Sequence, residues 1–326
     1  MSSFKQHTYP KVNLKDNTLD ENDLVSARPL NVSHSTETPL YLLGALDTLP
    51  LELLQTVLVQ LDLLSLLQFG RVNRRASSIN HSIPQFKALL THTPNTIRAI
   101  LSIGIGQWIT CETLFSAFCT SKCEYCGDFG GYLYLLACRR VCFLCLTENN
   151  TCLPISRKIA KGKFGVYGAA LDTIPQMRSM PGIYSPNERK CTRRLWLLDP
   201  GSARQAGIVA HGSVTEMEQH VTRLAATQSE VAARNNTHRR LPVDPFDGQS
   251  SNPLRFMAAT QTPMYNRLTQ KIEVGVYCVG CQDSHDRRPL HFRRRYVEET
   301  FDTHLRECGA IRAGEHLNHE VFILGD

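Results

Sequence analysis

The sequence predicts an α+β fold: a small helical module near the N-terminus, followed by a larger mixed α/β region. Three observations carry that expectation. Apolar residues recur at helical spacing from Leu49 to Ile79. Strand-like runs follow later in the chain, around Met177–Tyr184, Arg194–Leu198 and Ile272–Tyr277. Of the 12 cysteines, six fall in three CxxC pairs, all of them beyond residue 120.

Bulk properties narrow the classes. With 42% apolar residues among 326, a sizeable core can form. A formal charge of +6 is mildly basic and does not by itself argue for a nucleic-acid partner. Residues 1–40 are polar and aperiodic, which predicts a disordered tail with no apolar signal segment. The most apolar stretch, Leu42 to Phe69, is interrupted by Asp47, Glu52, Gln55, Gln60 and Asp62, so no membrane span is expected. A soluble chain of the cytoplasm or nucleus is the expectation. In such a reducing compartment paired cysteines more often hold metal than form disulfides.

Leu49, Leu53, Val57, Leu58 and Leu61 fall on one helical stripe, with Thr48 and Pro50 suited to its start. A second short helix accommodates Leu64, Leu66, Leu67 and Phe69, and a third Val72, Ala76 and Ile79. The run from Leu46, LDTLPLELLQTVLVQLDLLSLLQFGRVNRRASSINHSIPQF, resembles the F-box. The resemblance rests on Leu49-Pro50, Glu52-Leu53-Leu54, Val57-Leu58, Leu61, Leu66-Leu67, Val72 and the basic Arg74-Arg75, with Phe86 where a Trp is frequent. Ala76 departs from the pattern where Trp is common. The likeness implies a three-helix F-box over residues 41–95 that docks a Skp-type adaptor and, through it, a cullin ligase. The contact residues it implies are Leu49, Pro50, Leu53, Leu58, Leu66 and Leu67. A module of roughly 45 residues cannot bury all of its leucines alone, which agrees with a partner. The competing expectation is that the same leucines are internal core.

Cys123 with Cys126 and Cys142 with Cys145 form two CxxC pairs separated by a short run of chain. Each CxxC turn aims two sulfurs at one point, and two turns complete a tetrahedron, the geometry of a closed structural zinc site. Cys138 is a competing ligand if its segment is helical. A second set is Cys278, Cys281, His304 and Cys308, the last two sharing one face of a helix at i, i+4. Two structural zinc ions are therefore expected. Cys111, Cys119, Cys152 and Cys191 lack partners at ligand spacing and read as buried small residues. The CxxC-rich segment and the later CVGC with FDTHLREC also resemble the cysteine-rich C-terminal region of F-box proteins from filamentous fungi.

Ser202–Val209 and Ser213–Asn235 read as helices, the second with Ser213 and Glu216 as a capping box. Residues 236–253 read as a polar loop, and Arg293 to Cys308 as a helix. His285, Arg287, Arg288, His291, Arg293, Arg294 and Arg295 form a basic cluster, either a patch for an acidic partner or a solvated helix face. The chain lacks a GxSxG elbow, a phosphate-binding loop ending in Lys-Ser/Thr, and HExxH, so catalysis is not expected. The two cysteine sets lie too far apart for an interleaved RING. The reading is a non-catalytic substrate receptor, with residues 96–326 recruiting an unknown protein target. A zinc-finger protein binding nucleic acid, or acting outside ubiquitin chemistry, is the rival, and modest charge without repeated fingers makes nucleic acid the weaker expectation.

Overall fold

In the computed structural model, residues 3–10, 15–27, 41–185, 188–234, 252–282 and 290–317 are described. The fold is mixed α+β. Among the described residues no helix is long and apolar enough to cross a membrane.

Three short helices open the main body, Leu51–Val59, Leu63–Phe69 and Arg74–Ser82. Local chemistry sets their starts. Asp62 accepts the Ser65 N–H at 2.9 Å and Asn73 accepts the Ala76 N–H at 2.8 Å, each satisfying a first-turn donor that has no partner within the helix. Pro50 precedes the first helix rather than standing in its first turn. Two further helices, Pro84–His92 and Pro94–Ser102, each begin on a proline, whose missing N–H costs nothing there. Asn80 donates its side-chain amide to the Leu66 carbonyl at 2.6 Å and ties the third helix to the second.

These helices share one core with the region behind them. Leu54, Leu58, Leu66, Phe86, Ile97 and Ile100 belong to the same buried cluster as Leu114, Phe118, Tyr132, Leu144 and Phe256. The backbone links them as well: Leu63 N–H donates to the Ile109 carbonyl and Cys111 N–H to the Leu61 carbonyl. At the centre Tyr132–Tyr134 runs antiparallel to Arg139–Val141 on one side and Ala259–Gln261 on the other. Its three residues are buried. Arg255, fully buried, donates to the carbonyls of Leu146 and Asn149, acceptors left open at the end of the helix Phe143–Glu148.

A second, smaller core lies around the sheet in which Trp196–Leu198 pairs with Ile155–Ser156 and Gln176–Arg178. The run Met177–Tyr184 is two strands, Gln176–Arg178 and Gly182–Tyr184, rather than one. Helices Pro200–His211 and Val214–Arg234 pack nearby, and Ser213 with Glu216 caps the longer one as expected, the Glu216 N–H reaching Ser213 Oγ at 3.1 Å. The polar loop expected at 236–253 falls almost entirely outside the described residues.

The expectation of a disordered segment over residues 1–40 is corrected for its described parts. Thr8–Tyr9 pairs antiparallel with Tyr277–Cys278, and Asp16, Leu19 and Leu24 are buried. Polar composition misled because one carboxylate, Asp16, is the partner of two buried cations. Arg293 is ion-paired to Asp16, Arg295 lies 3.6 Å from its other oxygen, and the Tyr132 hydroxyl donates to it at 2.5 Å. Removing one member of a buried ionic set leaves uncompensated charge, at a cost of about 3–5 kcal/mol. Asp16→Ala is therefore expected to lower unfolding stability by about that amount in urea titration, while Lys15→Ala, one residue away and exposed, changes it by less than about 0.5 kcal/mol.

Candidate metal centres and exposed leucine face

The first quartet forms where a tight turn meets a helix start. The segment 123–127 folds back on itself: the Gly127 N–H bonds to the Cys123 carbonyl at 2.9 Å, with Gly127 at φ +80°, in the left-handed region that favours glycine. The turn is fastened to the following strand by the Glu124 N–H donating to the Arg140 carbonyl at 2.9 Å. Opposite it, Cys142 ends that strand and caps the helix Phe143–Glu148, its sulfur accepting the Cys145 N–H at 3.4 Å. The sulfurs of Cys123, Cys126, Cys142 and Cys145 all lie within 4.8 Å of one another, with Cys126 and Cys142 at 3.6 Å. Hydrogen bonding from the neighbouring thiols pulls the Cys123 thiol strongly towards thiolate, and the same crowding pushes Cys142 and Cys145 up. A divalent cation would hold all four as thiolates. Cys138 does not join them: it sits at φ +51° after a short turn rather than in a helix, and desolvation pushes its thiol up to about 12.

The second quartet differs from the expected set by one ligand. Cys278, Cys281 and His304 converge as anticipated, but the fourth member is His316, not Cys308. His304 and Cys308 do share the helix Glu298–Cys308. Cys308, however, is its last residue and remains half-buried outside the quartet. After Gly309 the chain forms the hairpin Ile311–Arg312/Glu315–His316, which returns an imidazole to the site. His316 Nδ1 lies 2.8 Å from the Gly309 carbonyl; donation there leaves Nε2 as the free lone pair, 3.4 Å from both Cys278 and Cys281 sulfurs. His304 Nε2 is 3.4 Å from Cys281, with its ring stacked on Tyr296 at 4.3 Å. A Cβ at Gly280 would come within 2.8 Å of the His316 ring, so glycine is required there.

Both donor sets fit a tetrahedral ion. Bonds of about 2.3 Å to sulfur and about 2.0 Å to nitrogen set ligand-to-ligand edges of roughly 3.3–3.8 Å, close to the 3.4–3.6 Å separations found here. Each quartet could hold a metal ion, and both the four-thiolate set and the set of two thiolates with two imidazoles are compatible with zinc. Seven of the eight ligands are buried and only Cys126 is exposed, which suits a structural role. His316 was missed because it lies well past the end of the helix that carries His304, outside CxxC or i, i+4 spacing. The glycines at 309 and 314, both at positive φ, were the available sign of a returning hairpin. Cys111 and Cys152 are buried as expected, while Cys119 and Cys191 are half-buried.

The leucines proposed to dock a partner separate into two faces. Leu49 and Leu53 are 40% and 55% exposed, Pro50 is exposed, and Leu67 is half-buried. Leu58 and Leu66 are in the core, at 4% and 0%, and cannot touch a partner. The helix explains the division: Leu54 and Leu58 stand at i, i+4 on the inner face, Leu53 and Val57 at i, i+4 on the outer. Val57 (56% exposed), Leu46 and Val72 extend the exposed apolar set, and Arg75 holds Asp47 at 3.1 Å, fixing the turn that carries Leu46 against the third helix.

The basic cluster is not a surface patch in its described part. Arg293 and Arg295 are buried on Asp16, and Arg294 pairs with Asp128 at 2.6 Å. The helix begins only at Glu298, later than expected. His285, Arg287 and Arg288 lie outside the described residues.

No protein-family model, curated protein or solved structure matches the chain.

Metal analysis of the purified chain by mass spectrometry is expected to find two equivalents of zinc. His316→Ala lowers this to one, whereas Cys308→Ser retains two; the opposite pattern restores the ligand set that spacing alone suggested.

Proposed function

We propose that this chain is a non-catalytic substrate receptor of a cullin–RING ubiquitin ligase, acting inside the cell. Residues 41–95 would serve as an F-box for a Skp-type adaptor. The region behind them, held by two structural zinc ions, would present a protein target so that a lysine lies close to the ubiquitin-carrying enzyme, a proximity effect. The supporting observation is the outward stripe of Leu49, Leu53 and Val57 on a three-helix segment whose inner stripe is already satisfied. Fully burying such a side chain is worth about 1.5–3 kcal/mol, and these three, already half-covered, would each gain about half of that under a partner. The resemblance of that segment to the F-box pattern supports a Skp-type adaptor as the partner. Sharing a core with the region behind makes the module a rigid platform rather than a tethered bead.

Co-purification with a Skp-type adaptor tests the reading. A stoichiometric complex is expected for the native chain, and Leu53→Asp with Val57→Asp abolishes it while leaving two zinc equivalents and the thermal transition in place. Leu58→Asp is unsuitable as a test, because it places a charge in the core. A folded native chain that captures no adaptor would exclude the ligase assignment and leave a zinc-stabilised protein outside ubiquitin chemistry.

A further inference from the structure

The net charge of +6 conceals a strong local asymmetry. Residues 157–196 carry nine Lys and Arg against only Asp172 and Glu188, a net of +7, so the remainder of the chain is close to neutral. Two of those cations flank one aromatic ring. Trp196 is 54% exposed on the middle strand of the second three-stranded sheet, Ile155–Ser156/Trp196–Leu198/Gln176–Arg178. Its register partner on one side is Arg178, and on the other the strand Ile155–Ser156 leads directly into Arg157. Both guanidinium carbons lie 5.9 Å from the Trp196 ring, giving a row Arg157–Trp196–Arg178 across the sheet. Arg157 is held in place by Gln176 at 2.5 Å and Asp172 at 2.9 Å. Lys190, Arg193, Arg194 and Leu195 are exposed on the approach to the same strand. Among the described residues no carboxylate pairs with Arg178, Arg193 or Arg194.

We propose that this surface binds a single-stranded nucleic acid, with a base stacked on Trp196 and the adjoining phosphates on Arg178, Arg193 and Arg194. The indole decides between partners. A phosphorylated peptide needs only the cations, and a membrane takes up an indole that projects among its headgroups, whereas this ring lies in a row between two guanidiniums across a sheet. Each base of a single strand offers a π-face together with one phosphate per nucleotide, the pairing that stacking platforms with basic surrounds accept. A duplex hides its base faces and fits less well. The weak expectation of nucleic acid from net charge came from averaging the whole chain, and in the described part of the later basic cluster Arg293 and Arg295 are buried and Arg294 is paired with Asp128. The inference is independent of the adaptor proposal, since it uses exposed residues of 157–196 rather than the outward leucines of residues 41–95.

Fluorescence anisotropy of the full-length, zinc-loaded chain with labelled single-stranded RNA and DNA of mixed sequence tests it. Saturable binding at low salt is expected, weakened about tenfold by Trp196→Ala. Arg193→Gln with Arg194→Gln lowers the slope of log affinity against log salt by about 1.4, the loss of two phosphate contacts. Both variants change exposed residues, and retention of two zinc equivalents and of the melting transition shows that they remain folded. Absence of binding, or binding that Trp196→Ala leaves unchanged, overturns the proposal. So does tighter binding to a phosphoserine peptide of equal charge or to phosphatidylserine vesicles than to the oligonucleotide.

Discussion

Asp16 is buried between two arginines, Arg293 and Arg295, that are remote from it in sequence, and much of the architecture is arranged around that ionic set. Arg293 lies 3.8 Å over the Phe143 ring, and Arg295 packs over Tyr132 at 4.9 Å while donating to the hydroxyls of Tyr277 and Tyr132 at 3.0 and 2.9 Å. Each contact belongs to a different part of the fold. Phe143 opens the helix of the first metal centre, Tyr132 is on the middle strand of the central sheet, and Tyr277 precedes the first ligand of the second centre. Two guanidiniums can be desolvated only if a carboxylate and enough acceptors meet them. The N-terminal segment supplies that carboxylate, so it is a structural part of the C-terminal region.

The candidate metal centres divide the remaining task. With an ion bound, the four-cysteine group would lock a turn to the strand and helix that carry the central core. The mixed cysteine–histidine group does something different: its surroundings are a small cluster of Cys278, Cys281, Tyr296, Phe301 and Ile311, too few apolar residues to hold a helix and a hairpin alone. Phe4 packs on Phe301 at 5.4 Å and the Thr8–Tyr9 strand pairs beside Cys278, so the N-terminus braces this part a second time. An ion bound there would contribute folding energy outright, because these ligands do not converge in the unfolded chain.

Legibility followed the range of each signal. The three N-terminal helices and the four-cysteine centre rest on periodicity and CxxC spacing within short stretches of chain, and both were readable. Asp16 with Arg293 and Arg295, and His316 with Cys278, are pairings of distant residues, whose chemistry is ordinary and whose meaning comes only from the fold. The leucines were the intermediate case. A stripe identifies an amphipathic helix, yet a helix apolar on two faces does not announce which one turns inward. Leu53 and Leu58 looked equivalent in the string and are opposites in the structure.

That two-faced helix also bears on how a receptor could work. Leu54 and Leu58 anchor the module in the common core, while Leu53 and Val57 face outward one residue away in each case. A partner on the outer face would therefore lie one helix diameter, about 10–12 Å, from the core that continues to the central sheet. No flexible linker intervenes among residues 41–185, since the Leu61–Cys111 and Leu63–Ile109 backbone bonds close the module onto the body. The orientation of the C-terminal region relative to any docked partner would then be set by packing rather than by tether length, which favours a fixed presentation geometry over a wide search.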